Sequence, residues 1–277
     1  MRLAQMSIHD RRVAAVRRGD AWHAPAADDL GTLVRAGEAA LREAVQQASP
    51  EPLANPVPEA PLRPGKVVAI GLNYLDHIRE AGLEPPAAPL VFAKFTSSVI
   101  GPDEPIVFDP ALTSRVDWEV ELAAVIGSPL RDVPAETALD GVLGYTVAND
   151  VSARDLQFGD GQWTRGKSLD TFCPLGPEIV TADELGDPQR LALRTRVNGD
   201  TVQDSSTEHM LFGVAELLSY CSRAFTLEPG DVLLTGTPWG CGEFMDPPRH
   251  LQPGDVVEVE VEGIGVLRNP VRSAPAA

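Results

Sequence analysis

The sequence predicts an α+β protein, mainly β, in which a small leading unit precedes a larger β-rich one. Short apolar runs separated by Gly, Pro and Asp turns recur from about residue 66 onward. Segments with helical spacing are few and do not alternate with those runs, which argues against βαβ winding. The proline-rich stretch SPEPLANPVPEAPLRPG, residues 49–65, separates the two compositions.

Residues 1 to about 48 read as two short strands and a helix. Leu30, Leu33, Val34, Leu41 and Val45 form the helical stripe, and Asp28 or Asp29 is placed to cap its start. The prolines that follow remove backbone donors and hold the chain extended, so the stretch is a stiff connector. The expected division is a small domain with its connector over 1–60 and a larger β-rich domain over 61–277. Strands are expected at 67–71, 90–94, 118–126, 141–148, 193–197, 232–235 and 256–261, and helices at 74–81 and 210–223. In the last segment Leu211, Val214, Leu217, Leu218 and Cys221 repeat at helical spacing, the mark of a face packed on a sheet.

The net charge of −17 repels phosphate backbones and anionic lipid, which speaks against nucleic-acid and membrane-surface partners. Cys173, Cys221 and Cys241 are odd in number and far apart, a pattern that fits a reducing compartment better than a disulfide framework. The opening MRLAQMSIHDRRVAAVRRGD has no apolar core of signal-peptide length, and no apolar stretch approaches the roughly 20 residues a membrane helix needs. The expectation is a soluble, cytoplasmic protein.

Chemistry concentrates in three stretches. In DWEVELAAVIG, strand alternation puts Glu119 and Glu121 on one face, opposite Trp118, Val120 and Leu122. Two carboxylates roughly 7 Å apart along a strand can converge on one cation. The same alternation also describes a solvated strand, and VVEVEVEG, with Glu258, Glu260 and Glu262, is read that way. An apolar strand then ends in Asn149-Asp150, and three carboxylates would make a hard oxygen site suited to Mg²⁺ or Mn²⁺ rather than Zn²⁺. The loop after it carries Phe158, Trp163 and Phe172 among Arg154, Gln157, Arg165 and Lys167, a composition suited to a lid over an anionic substrate. Upstream, His77 and Glu80 stand three apart. On a helix the carboxylate can set the imidazole tautomer and prepare a general base, although such a pair is more commonly a surface contact.

Residues 66–270 resemble the catalytic domain of the fumarylacetoacetate hydrolase family. The motifs, in order, are GLNYLDHIREAG, FAKFTSSVIGP, VDWEVELAAVIG, GYTVANDVSARDLQ, GQWTRGKSLDTFCPLGP, VAELLSYCSR, PGDVLLTGTPWGCG and PGDVVEVEVEGIGVLRN. The resemblance implies the family's mixed β-roll, a homodimer, and Mg²⁺ or Mn²⁺ held by Glu119, Glu121 and Asp150. It implies a catalytic His77–Glu80 pair on a segment that orders over substrate, and Lys167 as the active-site lysine. Gln157 and Thr237 match polar substrate contacts, and Arg154 and Lys94 match recurrent positions of less defined role. Larger members carry a further aspartate ligand before the His; Asn73 stands nearby here, so the chain is similar to the smaller three-ligand type. The expected partner is a small 2-keto acid, and the expected reaction is hydrolytic carbon–carbon cleavage of a 2,4-diketo acid with release of a pyruvate-type product. Oxaloacetate decarboxylation and isomerisation of a 2-hydroxyhepta-2,4-diene-1,7-dioate-type substrate are alternatives on the same scaffold. A catalytically silent metal-binding scaffold is the alternative from another class.

Overall fold

In the computed structural model, which describes residues 1–275, an eleven-stranded sheet forms the body of the protein. Its main path runs Ala21–His23, Arg11–Arg18, Arg2–Ile8, Cys173–Thr181, Val142–Asn149, Val120–Ile126, Val232–Leu234, Val67–Gly71 and Leu90–Lys94. Val57–Glu59, within the proline-rich stretch, pairs with Arg2–Ile8. A second sheet of five strands contains Asp200–Ser206, Ala192–Val197, Val256–Val261, Gly265–Ser273 and Ile106–Phe108. Among the described residues no helix is long and apolar enough to cross a membrane.

The Val120–Ile126 strand lies mid-sheet and every residue in it is buried. Val120, Leu122, Ala124 and Ile126 pack into a core with Leu193, Val257, Val259 and the helix residues Leu217 and Leu218. Ala123 and Val125 face the opposite way, onto Val67, Val232, Leu234 and the leading helices through Leu30, Leu33, Val34 and Leu41. Each full-sized apolar side chain removed from water contributes about 1.5–3 kcal/mol, so this doubly covered strand is held firmly in register. Its register carries straight into the site, because Glu119 and Glu121 share the period-2 alternation of their apolar neighbours.

Most expected elements stand within a residue or two of the observed ones. The exceptions have local causes. The leading helical stripe is two helices, Leu30–Arg35 and Glu38–Gln46, broken at Gly37, whose φ of 94° only glycine adopts readily. Asp29 is the cap, its carboxylate accepting from Thr32 N–H at 2.7 Å. The helix expected from residue 210 begins at Val214, because Leu211 N–H and Phe212 N–H are committed to the Asn73 carbonyl and Asn73 Oδ1. The polar stretch after Asp150 is no open loop. It folds into the helices Arg154–Asp160 and Thr164–Lys167, and Phe172 is wholly buried in the core.

Candidate active site

Glu119 immediately precedes the Val120–Ile126 strand, and Asp150 immediately follows its antiparallel neighbour Val142–Asn149. Asp150 N–H donates to the Glu119 carbonyl at 2.9 Å, and Glu119 N–H donates to Asn149 Oδ1 at 3.0 Å. These bonds fix the two strand ends side by side. Glu121 adds its carboxylate from the same strand face, one oxygen accepting from Gly236 N–H at 2.6 Å. Glu119, Glu121 and Asp150 are all buried, and one oxygen from each falls within 4.8 Å of the others.

Three cationic side chains surround this trio. Lys167 Nζ bridges Glu119 Oε2 at 2.6 Å and Asp150 Oδ2 at 2.9 Å. Arg154 spans Glu119 Oε1 at 2.7 Å and Asp117, to which its Nε donates at 2.9 Å, and it donates at 3.0 Å to Gln157 Oε1. Lys94 Nζ donates to Asp150 Oδ1 at 2.6 Å, to the Val151 carbonyl at 3.2 Å and to the Lys167 carbonyl. Burial alone would raise the Glu119 carboxyl, but Lys167 and Arg154 outweigh it and hold the group down at about 2. Glu121 goes the other way: burial, reinforced by the charges of Asp150 and Glu119, pushes its carboxyl well above the usual range. A carboxylate that tends to take up a proton beside two others is short of positive charge. Carboxylate oxygens are the donors a hard divalent cation prefers, and the trio fits one on both counts.

A cavity opens beside the trio, lined by His77, Glu119, Arg154, Gln157, Lys167 and Thr237, with apolar walls that include Phe92, Phe158, Trp163 and Phe244. Larger depressions exist elsewhere, but this one gathers the titratable groups. His77 is on the short helix Leu75–Glu80, where its Nδ1 meets Glu80 Oε2 at 3.1 Å. The other Glu80 oxygen accepts from Gly240 N–H at 2.8 Å, so the pair is pinned from outside its own helix. Gly71 closes the wall: a side chain there would run into the Trp163 ring.

Of the ten site residues named from the sequence, six line this cavity, namely His77, Glu119, Arg154, Gln157, Lys167 and Thr237, and Glu80, Glu121 and Asp150 stand next to them, beside His77, Glu119 and Lys167. Lys94 differs, since it lies behind Asp150, its side chain fully buried. Asn73 pins backbone, donating to the Phe212 and Thr235 carbonyls at 3.0 and 2.8 Å. Glu258 and Glu260 are half-buried on the second sheet, in keeping with a solvated face. Sequence reasoning missed Asp117, Gln203 and Cys241. Asp117 is buried under Arg154 and accepts from Gly242 N–H at 2.8 Å and Glu243 N–H at 3.0 Å. Gln203 accepts from Val120 N–H at 3.0 Å and Thr195 Oγ1 at 2.7 Å, and donates to Thr237 Oγ1 and the Pro238 carbonyl, both at 3.0 Å. No local signal marks these positions, because their partners are distant in sequence.

A β-rich fold with buried carboxylates converging next to a His–Glu pair defines a class of enzyme with a cation-ready acidic pocket. Residues 66–272 match the family model described as fumarylacetoacetate (FAA) hydrolase C-terminal, and the chain belongs to that family. It is 50% identical over 210 residues to a mitochondrial oxaloacetate tautomerase of Xenopus laevis, covering 75% of this chain and 66% of that one. The chain thus spans about two thirds of the length of that relative. Among solved structures, a fumarylacetoacetate hydrolase from Exiguobacterium antarcticum superposes with a TM-score of 0.90 at 40% identity, covering 99% of this chain and 100% of the other. A 5-carboxymethyl-2-hydroxymuconate delta-isomerase from Mycobacterium smegmatis superposes with a TM-score of 0.82 at 40% identity, each chain fully covered.

Proposed function

We propose that this protein is a divalent-metal-dependent enzyme that moves a proton on a small 2-keto dicarboxylic acid, with keto–enol interconversion of oxaloacetate as its reaction. The observation that carries this reading is the Glu80-held His77 in one cavity with Glu119 and Lys167. The relatives tip the choice between chemistries, because a half-identical one is named a tautomerase and a solved neighbour an isomerase. The hydrolytic cleavage expected from the family resemblance is the second reading, and the Exiguobacterium neighbour's name supports it.

Glu119, Glu121 and Asp150 would hold Mg²⁺ or Mn²⁺, which when bound supplies Lewis-acid polarisation of the 2-oxo group and a template for the adjacent carboxylate. Glu80 engages His77 Nδ1, which leaves Nε2 as the basic nitrogen. His77 takes the proton from carbon 3 and returns it to that carbon or to oxygen, and Glu80 stabilises the imidazolium in between. No atom is gained or lost overall. Lys167 and Arg154 meet developing negative charge or a substrate carboxylate at the cavity wall. Thr237 and Gln157 supply hydrogen bonds there, while the aromatic wall strengthens these interactions by keeping the pocket poor in water.

The test follows enol absorbance of oxaloacetate with purified protein in Mg²⁺ and then in EDTA, with acetylpyruvate in parallel. Accelerated interconversion that stops in EDTA and releases no pyruvate is the expected result. His77→Gln should bind Mn²⁺ normally and lose turnover at least about 10²-fold, the low end for a general base. Pyruvate from acetylpyruvate would transfer the assignment to hydrolysis, and pyruvate from oxaloacetate to decarboxylation. Interconversion at full rate in His77→Gln would remove the base from this scheme.

A further inference from the structure

Cys241 has no part in the reaction above, yet its position against the His77–Glu80 pair is specific. Its Sγ is wholly buried and lies 3.9 Å from His77 Nδ1. One potential ligand atom from each of His77, Glu80 and Cys241 falls within 4.8 Å of the others. We propose that these three side chains form a second metal site, taking a borderline or soft cation such as Zn²⁺ or Cd²⁺, and that its occupation switches His77 off.

The donor set separates this site from the carboxylate trio. Imidazole, carboxylate and thiolate together are a zinc-type set, whereas three carboxylates favour hard cations. Geometry agrees with the chemistry. Ordinary Zn–N, Zn–O and Zn–S bonds at the tetrahedral angle put nitrogen and sulfur about 3.6 Å apart, and nitrogen and oxygen about 3.4 Å apart. The corresponding separations here are 3.9 and 3.1 Å, each within a few tenths of an ångström of the ideal, and a Glu80 oxygen lies within 4.8 Å of Cys241 Sγ. The second Glu80 oxygen is already held by Gly240 N–H at 2.8 Å, the kind of outer bond that orients a ligating carboxylate. Entry has its own route. Glu80 and Gly240 line an open groove with Trp239, Phe244 and Arg249, on the other side of Phe244 from the cavity that His77 lines. A solvent molecule would complete the tetrahedron from that groove.

The proton balance gives the consequence. Burial, with the charge of Glu119 adding to it, holds the Cys241 thiol protonated, so the cation must displace that proton to solvent. Nδ1 must offer its lone pair, so in the neutral imidazole the remaining proton sits on Nε2. One proton leaves per ion bound, and the nitrogen facing the cavity becomes a donor where a base is required. That last consequence rests on the proposed role of His77; the metal site itself does not.

The experiment uses the Mg²⁺-loaded chain, Cd²⁺ as an absorbance probe of thiolate ligation, and Zn²⁺ titrations of oxaloacetate turnover. Wild type should gain a thiolate-to-cadmium band that saturates at one ion per chain, and Zn²⁺ should inhibit it. Cys241→Ser should keep its Mg²⁺-dependent turnover, lose the band, and need at least about tenfold more Zn²⁺ for half-inhibition. Losing a direct ligand costs no less than losing an outer-shell partner, which is already worth that factor. Cys241→Ala gives the same comparison should the serine variant fold poorly. A band that survives in both variants, or half-inhibition at the wild-type Zn²⁺ concentration, would overturn the site. A band confined to wild type, with turnover undiminished in the loaded protein, would uphold the site and overturn the role given to His77.

Discussion

Lys94 offers the sharpest test of how the acidic site is held together. Its ammonium is fully buried against an equally buried Asp150, at 2.6 Å, and its other two bonds go to the carbonyls of Val151 and Lys167. Lys94→Met keeps the aliphatic stem and deletes only the charge and its three donors. Removing one partner of a buried ion pair costs about 3–5 kcal/mol, because the remaining charge is stranded away from water. Asp150 keeps Lys167 at 2.9 Å, which points to the lower end, about 3 kcal/mol. For a chain of this size that is a fall in melting temperature of roughly 6–12 °C. The same substitution at Lys66 is the control. Lys66 Nζ stands 2.6 Å from Asp231, as close as Lys94 is to Asp150, but its side chain is 43% exposed. Asp231 is itself buried, but both its oxygens keep backbone donors, Lys66 N–H at 2.8 Å and Glu228 N–H at 2.7 Å, so losing the solvated Lys66 ammonium should cost no more than about 1 kcal/mol. Equilibrium urea unfolding of both variants in EDTA measures the contrast without interference from bound metal. A Lys94→Met loss below about 1 kcal/mol, or no larger than that of Lys66→Met, would refute the argument that burial and not distance sets the strength of these pairs.

Two further outcomes follow from the same geometry. Gln203→Leu strands the buried Val120 N–H and the Pro238 carbonyl and should cost about 2–4 kcal/mol in a urea melt, while Thr237 loses its anchor; a change under about 1 kcal/mol would show that the network is dispensable. Glu119, held down at about 2 from an ordinary 4.5, contributes stability in the metal-free protein that is fully present above pH 4.5 and lost as pH falls through about 2. Glu119→Gln should therefore flatten the fall in stability over that window, and an unchanged acid limb would place the responsible carboxylates elsewhere.

The two Glu-alternating segments show what a sequence pattern can carry. DWEVELAAVIG and VVEVEVEG have the same period, and that period does decide that Glu119 and Glu121 share a face. It does not decide what the face meets. The Val120–Ile126 strand has neighbours on both sides and layers on both faces, so its carboxylates are buried. The Val256–Val261 strand leaves one face half open, and its glutamates sit there with Arg196 for company at 2.8 Å from Glu260. Likewise the periodicity of residues 210–223 is helical throughout, but bonds from residues 211 and 212 to Asn73 delay the helix to Val214.

The sequence by itself determined the mainly-β class, the order of most elements and, through motifs spanning most of the chain, the family. Those properties are written in local periodicity, backbone-restricting residues and ordered motifs, all readable along one dimension. Only the tertiary structure decided that Lys94 backs Asp150 instead of facing the cavity, that Asp117 and Gln203 brace the site, and that Cys241 touches His77. These contacts join residues 34 to 164 positions apart. A buried polar atom must find a partner wherever the fold brings one, and no local propensity records which partner that will be.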